Sequence, residues 1–315
     1  VRWTVEQSPI ILNRDQRLAA GSSLIIDPGV EVRLGPGVAF FVEGALSALG
    51  APGLPVIITG TDQRRWDGIY GQPGSTVIME RVDISGGGNG GTLIAVQGAT
   101  FALRDSKVSN NGGHIRMIDT RVDVRNTEIG GNDMPYGSAI DASFSRGGFA
   151  FLIGNRIGGN RLSAGAAPMR ISNTSPQDTI NMDVQGNLLI GENGPNFILY
   201  TNGPFSGSFL CNTLRNGTNG LSLKSDSPGI PGTGLTVRDN FIDDHVPPIE
   251  PVYLKYGIGR GATSDLGLSM QNNWWGSDTG PYDPERNPDG RGESVGVNLE
   301  FVPWLSGPPD CTPQP

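Results

Sequence analysis

Residues 235–242 read LTVRDNFI, and the same eight-residue outline recurs along the chain. Its order is apolar, variable, apolar, two variable residues, one small or polar residue, a variable residue and a final apolar one. VIMERVDI from Val77, FALRDSKV from Phe101, VDVRNTEI from Val122 and AFLIGNRI from Ala150 follow it. So do MDVQGNLL from Met182, GSFLCNTL from Gly207 and LSMQNNWW from Leu268, with Gly207 in a first slot and Val82 in a sixth slot as exceptions. Apolar residues two apart mark a strand with one buried face. The gap after them turns the chain before the next inward residue. The central apolar positions fall at 79, 103, 124, 152, 184, 209, 237 and 270, so the period varies between 21 and 33 residues. A solenoid that keeps one strand–turn–strand corner, while its other corners carry loops of different length, has this uneven period.

The sixth slot holds Asn155, Asn187, Asn212, Asn240 and Asn273 in five successive copies. Asn suits a sharp turn because it tolerates left-handed dihedrals and bonds to its local backbone. In coils stacked about 4.8 Å apart, such side chains would also bond to one another as a ladder. Composition agrees with strands and turns: 48 Gly and 24 Pro with only 17% charged residues leave little material for helices. The opening SLIIDPGVEVRLGPG alternates apolar residues around a Pro-Gly turn, and VAFFVEGALSALG and PVIITG continue as strands. The two-residue hairpin signal is mostly missing, which favours parallel stacking over antiparallel sheets.

Net charge is −8 with Lys and Arg scattered, so nucleic acid is a poor partner. No run of eighteen apolar residues occurs, so the chain is not read as membrane-spanning. The one cysteine pair, Cys211 and Cys311, is compatible with a disulfide that ties the tail to the body, or with two separate thiols. The sequons at Asn173 and Asn216 suit surface turns. Together these features favour an extracellular or cell-surface setting, with a signal peptide already removed.

The segment from LIIDPGVEVRLGPG through VIITG to WDGIY, and the closing NNWWGSDTGPYDPERNPDGRGESVGVNLEFVPWL, resemble right-handed parallel β-helix proteins of the pectate-lyase-like group. The resemblance runs from Leu24 to Leu305. It implies an all-β, single-stranded right-handed parallel β-helix, which at about 25 residues per coil has about 11–13 coils. The expected organisation is an N-terminal cap or strand segment over 1–23, the β-helix over 24–305 with an end-cap excursion at 276–298, and a Pro-rich tail at 306–315. Terminal repeats must cover the open hydrophobic column. Trp275 fills the inward slot of the last copy, Trp274 packs under the excursion, and Phe301 and Trp304 serve as lids. The alternative is that the Trp pair offers a sugar-stacking platform.

Fold does not fix function. The run DNFIDDH supplies Asp243, Asp244 and His245, and paired carboxylates are what glycoside hydrolysis needs. The Gly-His-Gly segment of polygalacturonase-like β-helices and the Asp-Pro-His-Asp signature of alginate epimerases are absent from the sequence. DPERNPDG spaces Asp283, Glu285, Asn287 and Asp289 as oxygen donors, which suits a Ca²⁺ loop or an ordinary acidic turn. No cofactor is required by this reading; Ca²⁺ is the one candidate. The leading expectation is a structural or adhesive surface protein whose partners are copies of itself, other surface proteins or polysaccharide. The alternatives are a polysaccharide lyase or hydrolase and a non-catalytic carbohydrate-binding module.

Overall fold

A computed structural model describes residues 1–225, 234–245 and 262–314. The chain is all-β, with parallel sheets stacked as a β-solenoid of about nine turns. The expected 11–13 coils are therefore too many. The estimate divided the length by 25, whereas side loops lengthen several turns and the residues after Trp275 form an excursion and a tail.

The solenoid comprises two compact units, Val1–Ala142 with Gly159–Ser163, and Ser143–Gly158 with Ala164–Pro315. In the first, each turn contributes one strand to each of three sheets. The first sheet stacks Arg2–Trp3, Ser23–Ile26, Ala45–Leu49, Thr76–Glu80, Thr100–Arg104 and Arg121–Arg125. The second begins with Ile10–Leu12 and Glu31–Leu34, and the third with Gln16–Leu18 and Phe40–Val42. Residues 1–23 thus add the opening strand to every sheet. In the second unit the first sheet stacks Gly148–Ile153, Ile180–Gln185, Phe205–Leu210 and Gly234–Arg238.

Register follows the repeat. Met79 pairs with Leu103 and Leu103 with Val124; in the second unit Leu152 pairs with Val184, Val184 with Phe209 and Phe209 with Val237. These central residues are buried, and flanking residues alternate outward except at Ala102, which is buried beside Leu103. Because side chains alternate with period two, a slip of one residue would turn the whole apolar set to solvent. Gly207, the exception in the apolar first slot, has φ +112°, and a Cβ there would lie 2.0 Å from the carbonyl oxygen of Met182. Only glycine fits that approach.

The asparagines form a column. Asn155 donates through its backbone N–H and its Nδ2 to Asn187 Oδ1, both at 2.9 Å. The same pair of bonds links Asn187 to Asn212, Asn212 to Asn240 and Asn240 to Asn273, at 2.9–3.0 Å. Nδ2 of Asn187, Asn212, Asn240 and Asn273 also reaches the carbonyls of Leu152, Val184, Phe209 and Val237. The ladder is as the spacing implied, but the backbone role is not. The left-handed residue is the one before the sixth slot: Cys211, Asp239 and Asn272 before ladder asparagines, and Arg81, Asp105 and Asn126 before Val82, Ser106 and Thr127, have φ of 49–56°, and glycine stands at 154 and 186. The ladder Asn bridges turns; its predecessor makes the bend.

A second column lies at another corner of the first unit. Asn111 donates to Asn132 Oδ1 and Asn132 to Asn160 Oδ1, each through N–H and Nδ2, at 2.8–3.1 Å. Its sequence signal was present: Asn stands three residues after Val108, Ile129 and Ile157.

The last turn of the second unit is filled by aromatic groups. Trp274 bridges in parallel to Phe241, so Trp275 follows Ile242 in the inward column and is wholly buried. Phe301 is buried, with the Arg286 guanidinium 4.5 Å from its ring centroid and Trp304 6.4 Å away. Trp304 is partly exposed and donates from Nε1 to the carbonyl of Asp278 at 3.2 Å. Cys211 and Cys311 form a disulfide with Cα atoms 5.4 Å apart.

Candidate functional site

Strand Phe241–Asp243 alternates an inward Ile242 with outward Phe241 and Asp243, and pairs with Thr213–Arg215 so that Arg215 stands beside Asp243. Arg215 ion-pairs with Asp244 and lies 5.8 Å from the Phe241 ring centroid. Asp244 has φ +60°, which turns the chain so that the following side chain points inward. The His245 side chain is fully buried. Its backbone N–H donates to Glu293 Oε1 at 2.8 Å, and its Nδ1 lies 3.2 Å from the same oxygen but is not aligned as a hydrogen bond. Its Nε2 lies 2.8 Å from Asn196 Oδ1. Asn196 donates through Nδ2 to the carbonyls of Leu189 and Arg215, so its oxygen is the acceptor and His245 Nε2 carries the hydrogen.

The sequence brought Asp243, Asp244 and His245 together but not their partners. Glu293, Arg215 and Asn196 come from other turns, and nothing in the local sequence links them to DNFIDDH. Asp243 accepts the N–H of Asp244 at 2.8 Å and rests against Gly276, where a Cβ would fall 2.3 Å from Asp243 Oδ1. With φ +83°, position 276 requires glycine on both counts. Burial first, and the Glu293 carboxylate second, push the Asp243 carboxyl above the ordinary carboxylate range, against the opposing pull of Arg215 and His245.

That shift gives a signed prediction. A raised native-state pKa favours the protonated form, so its stabilising effect is complete below the unfolded value of about 3.9 and is lost as pH rises through the native value. Asp243→Asn keeps the Oδ1 acceptor and cannot ionise. The variant should melt higher than the parent at pH 7, by roughly 1–3 °C, and converge with it near pH 3.5. Calorimetry at the two pH values checks this; an equal or lower melting point at pH 7 contradicts it.

The proposed calcium donors do not converge. Asp283 is buried and spends its carboxylate on the N–H groups of Glu285 and Arg286 and on the Arg286 guanidinium. Arg286 holds the Asp283 carboxyl below its usual range through side-chain and backbone hydrogen bonds, which outweigh the raising effect of burial, the largest single influence. Asn287 donates through Nδ2 to the carbonyls of Thr279 and Pro281, and Glu285 and Asp289 face solvent. The charge opposite Asp283 is supplied by Arg286, so this donor set does not fit a calcium ion. Among the described residues, no three His, Cys, Asp or Glu side chains gather as metal ligands would.

Trp274 is partly exposed and Trp275 buried, so the pair does not form one platform. Of the sequons, Asn173 is not a surface turn: it is wholly buried and donates through Nδ2 to the carbonyls of Asp178 and Pro204. Asn216, at φ +61°, lies exposed. No helix among the described residues is long and apolar enough to cross a membrane. Comparison with protein-family models, with curated proteins and with solved structures finds no match.

Proposed function

We propose that this chain is a structural or adhesive solenoid of the right-handed, pectate-lyase-like type, working outside the cell or at its surface and associating with copies of itself or with other surface proteins. One observation supports this above the others. The Asn155–Asn273 column ties each turn to the next through paired buried hydrogen bonds, a device suited to holding a surface in fixed register. The closing NNWWG…PWL segment serves as the end motif in this reading. Electron microscopy of the purified protein at rising concentration should show ordered assemblies, and incubation with acidic and neutral polysaccharides should release no new chain ends. Strictly monomeric behaviour at high concentration counts against it.

A second reading, a polysaccharide-active enzyme, has its own observation. Asp243, with a raised pKa, lies beside Glu293, which is held by His245, and a pair of carboxyls in unlike environments is what acid–base chemistry uses. Turnover that disappears in Asp243→Asn while the fold persists would replace the structural reading.

A further inference from the structure

In the first unit, the outward positions of the third sheet run in register from Arg17 to Phe41, Tyr70, Ala95 and Arg116. The column has a pattern. The Arg17 guanidinium sits 5.2 Å from the Phe41 ring centroid and also pairs with Glu43. Phe41 and Tyr70 stack with centroids 5.4 Å apart and planes inclined by 23°. The Tyr70 hydroxyl donates to Asp67 Oδ2 at 3.1 Å, which fixes the ring. Burial, with the Asp67 charge and hydrogen bond, pushes the Tyr70 phenol up to about 12, so it stays neutral. The next turn offers only the methyl of Ala95, and the turn after that the exposed Arg116.

The small residue leaves a layer empty. Tyr70 and Arg116 are two turns apart, about 9.6 Å at ordinary strand spacing, which is room for one ring between them. A cavity of about 250 Å³ occupies that place, lined by Tyr70, Gln72, Ala95, Gln97, Arg116 and Ile118. One face of the Tyr70 ring is taken by Phe41, and the opposite side of its row looks toward Ala95.

We infer that this gap is a binding site for a single aromatic ring carrying a carboxylate. Stacked on Tyr70, such a ring would continue the offset series begun by Phe41. Its carboxylate would accept hydrogen bonds from Arg116, whose planar fork matches two oxygens. Among the described residues, Gln72 and Gln97 are the other polar side chains on the rim, which suits one anionic group better than the many hydroxyls of a sugar ring. The inference stands apart from the structural reading above: a surface scaffold without this ligand remains a scaffold.

Titration of the whole protein with benzoate, followed by calorimetry or ligand-observed NMR, tests it. Benzoate should bind saturably in the range of about 1 mM, as a ligand of so few atoms allows. Benzyl alcohol, which lacks the charge, and glucuronate, which lacks the aromatic face, should each bind at least tenfold more weakly. Arg116→Gln, a change at an exposed position, and Tyr70→Ala should each weaken benzoate about tenfold or more. Ala95→Phe places a ring in the gap and should abolish binding; it also covers the case in which Tyr70→Ala fails to fold. No saturable benzoate binding, equal or tighter binding of glucuronate, or benzoate binding unchanged in Ala95→Phe would each overturn the assignment.

Discussion

Asn212→Ala is expected to destabilise the protein by about 3–5 kcal/mol, near the upper end for a single substitution. Asn212 is wholly buried and serves four hydrogen bonds through its side chain. Its Oδ1 accepts from the N–H and Nδ2 of Asn187, and its Nδ2 donates to the carbonyl of Val184 and to Asn240 Oδ1. Truncation leaves the Asn187 N–H facing a cavity too small and apolar for easy hydration, and removes the amide's bond to the Val184 carbonyl, which belongs to the paired strand Ile180–Gln185. The orphaned N–H costs about 1–3 kcal/mol, and the other side-chain bonds lost add about 0.5–1.5 kcal/mol each, which sets the total. Partner groups with a second bond lose less: Asn187 Nδ2 still reaches Leu152, and Asn240 Oδ1 still receives the N–H of residue 212. Asn212→Asp separates hydrogen bonding from volume. Its carboxylate keeps the acceptor but turns a negative oxygen toward the Val184 carbonyl, so it should destabilise at neutral pH and recover on acidification, when an O–H can donate. Asn181→Ala is the control. Asn181 is exposed, and its loss should stay within about 0.5 kcal/mol. Urea denaturation measures all three, and hydrogen exchange should show lost protection at Asn187 first. A loss below 1 kcal/mol for Asn212→Ala would mean that the column follows from the stacking and does not hold it.

That column was the most legible feature of the chain, for a physical reason. From Asn155 to Asn273 one corner of each turn presents the same polar group to the next, so the residue type and its offset from the apolar pair repeat within a single sequence, whereas the earlier copies hold Val82, Ser106 and Thr127 there. The loops at other corners face no such demand. Their lengths vary, and a count of turns made from length alone overshoots. The second column was less visible because its offset is not constant. In the first unit Asn111, Asn132 and Asn160 keep one spacing, whereas in the second unit the corner after Leu189 is served by Asn196, several residues later, and by His245. The left-handed residue was misassigned because Asn is a good candidate for both tasks; the structure gives the bend to the preceding position, where Arg81, Asp105 and Cys211 take it. At the candidate site, sequence proximity found Asp243, Asp244 and His245. It could not find Glu293, Arg215 or Asn196, since those partners reach the cluster through the stacking of turns and carry no local motif. The acidic turn misled in the opposite way. Regular spacing of oxygen atoms suggested a cation, while Arg286, inside the same turn, already neutralised it.

Cys311→Ser should cost about 3–5 kcal/mol, because the disulfide closes a loop of 100 residues. On the chain-entropy account, a crosslink spanning that distance restricts the unfolded ensemble by slightly under 5 kcal/mol, from which native-state contacts that survive the substitution do not subtract. The choice of partner matters. Cys211 sits at φ +56° in the turn that precedes Asn212, so replacing it would mix loss of the crosslink with a change in turn propensity. Cys311 lies in the tail and is exposed, which makes it the cleaner position. The tail has other anchors: Thr213 Oγ1 donates to the carbonyl of Pro313 at 2.7 Å, Leu305 N–H to the carbonyl of Asn273 at 3.0 Å, and Thr312 is buried. These contacts are few and lie at the edge of the last turns, where local opening is easiest. Without the crosslink, the segment from Ser306 onward should therefore be cleaved by protease under native conditions at rates well above those of the parent, while the Asn187 and Asn212 amides stay far better protected than those of the tail. The two readouts divide the possibilities. A large drop in global stability with a rapidly cut tail means that the covalent bond supplies what the tail contacts cannot. A drop below 1 kcal/mol with an uncut tail means that Thr312, Leu305 and the Thr213 bond hold it unaided, and that the pairing of Cys211 with Cys311 follows from docking of the tail and does not cause it.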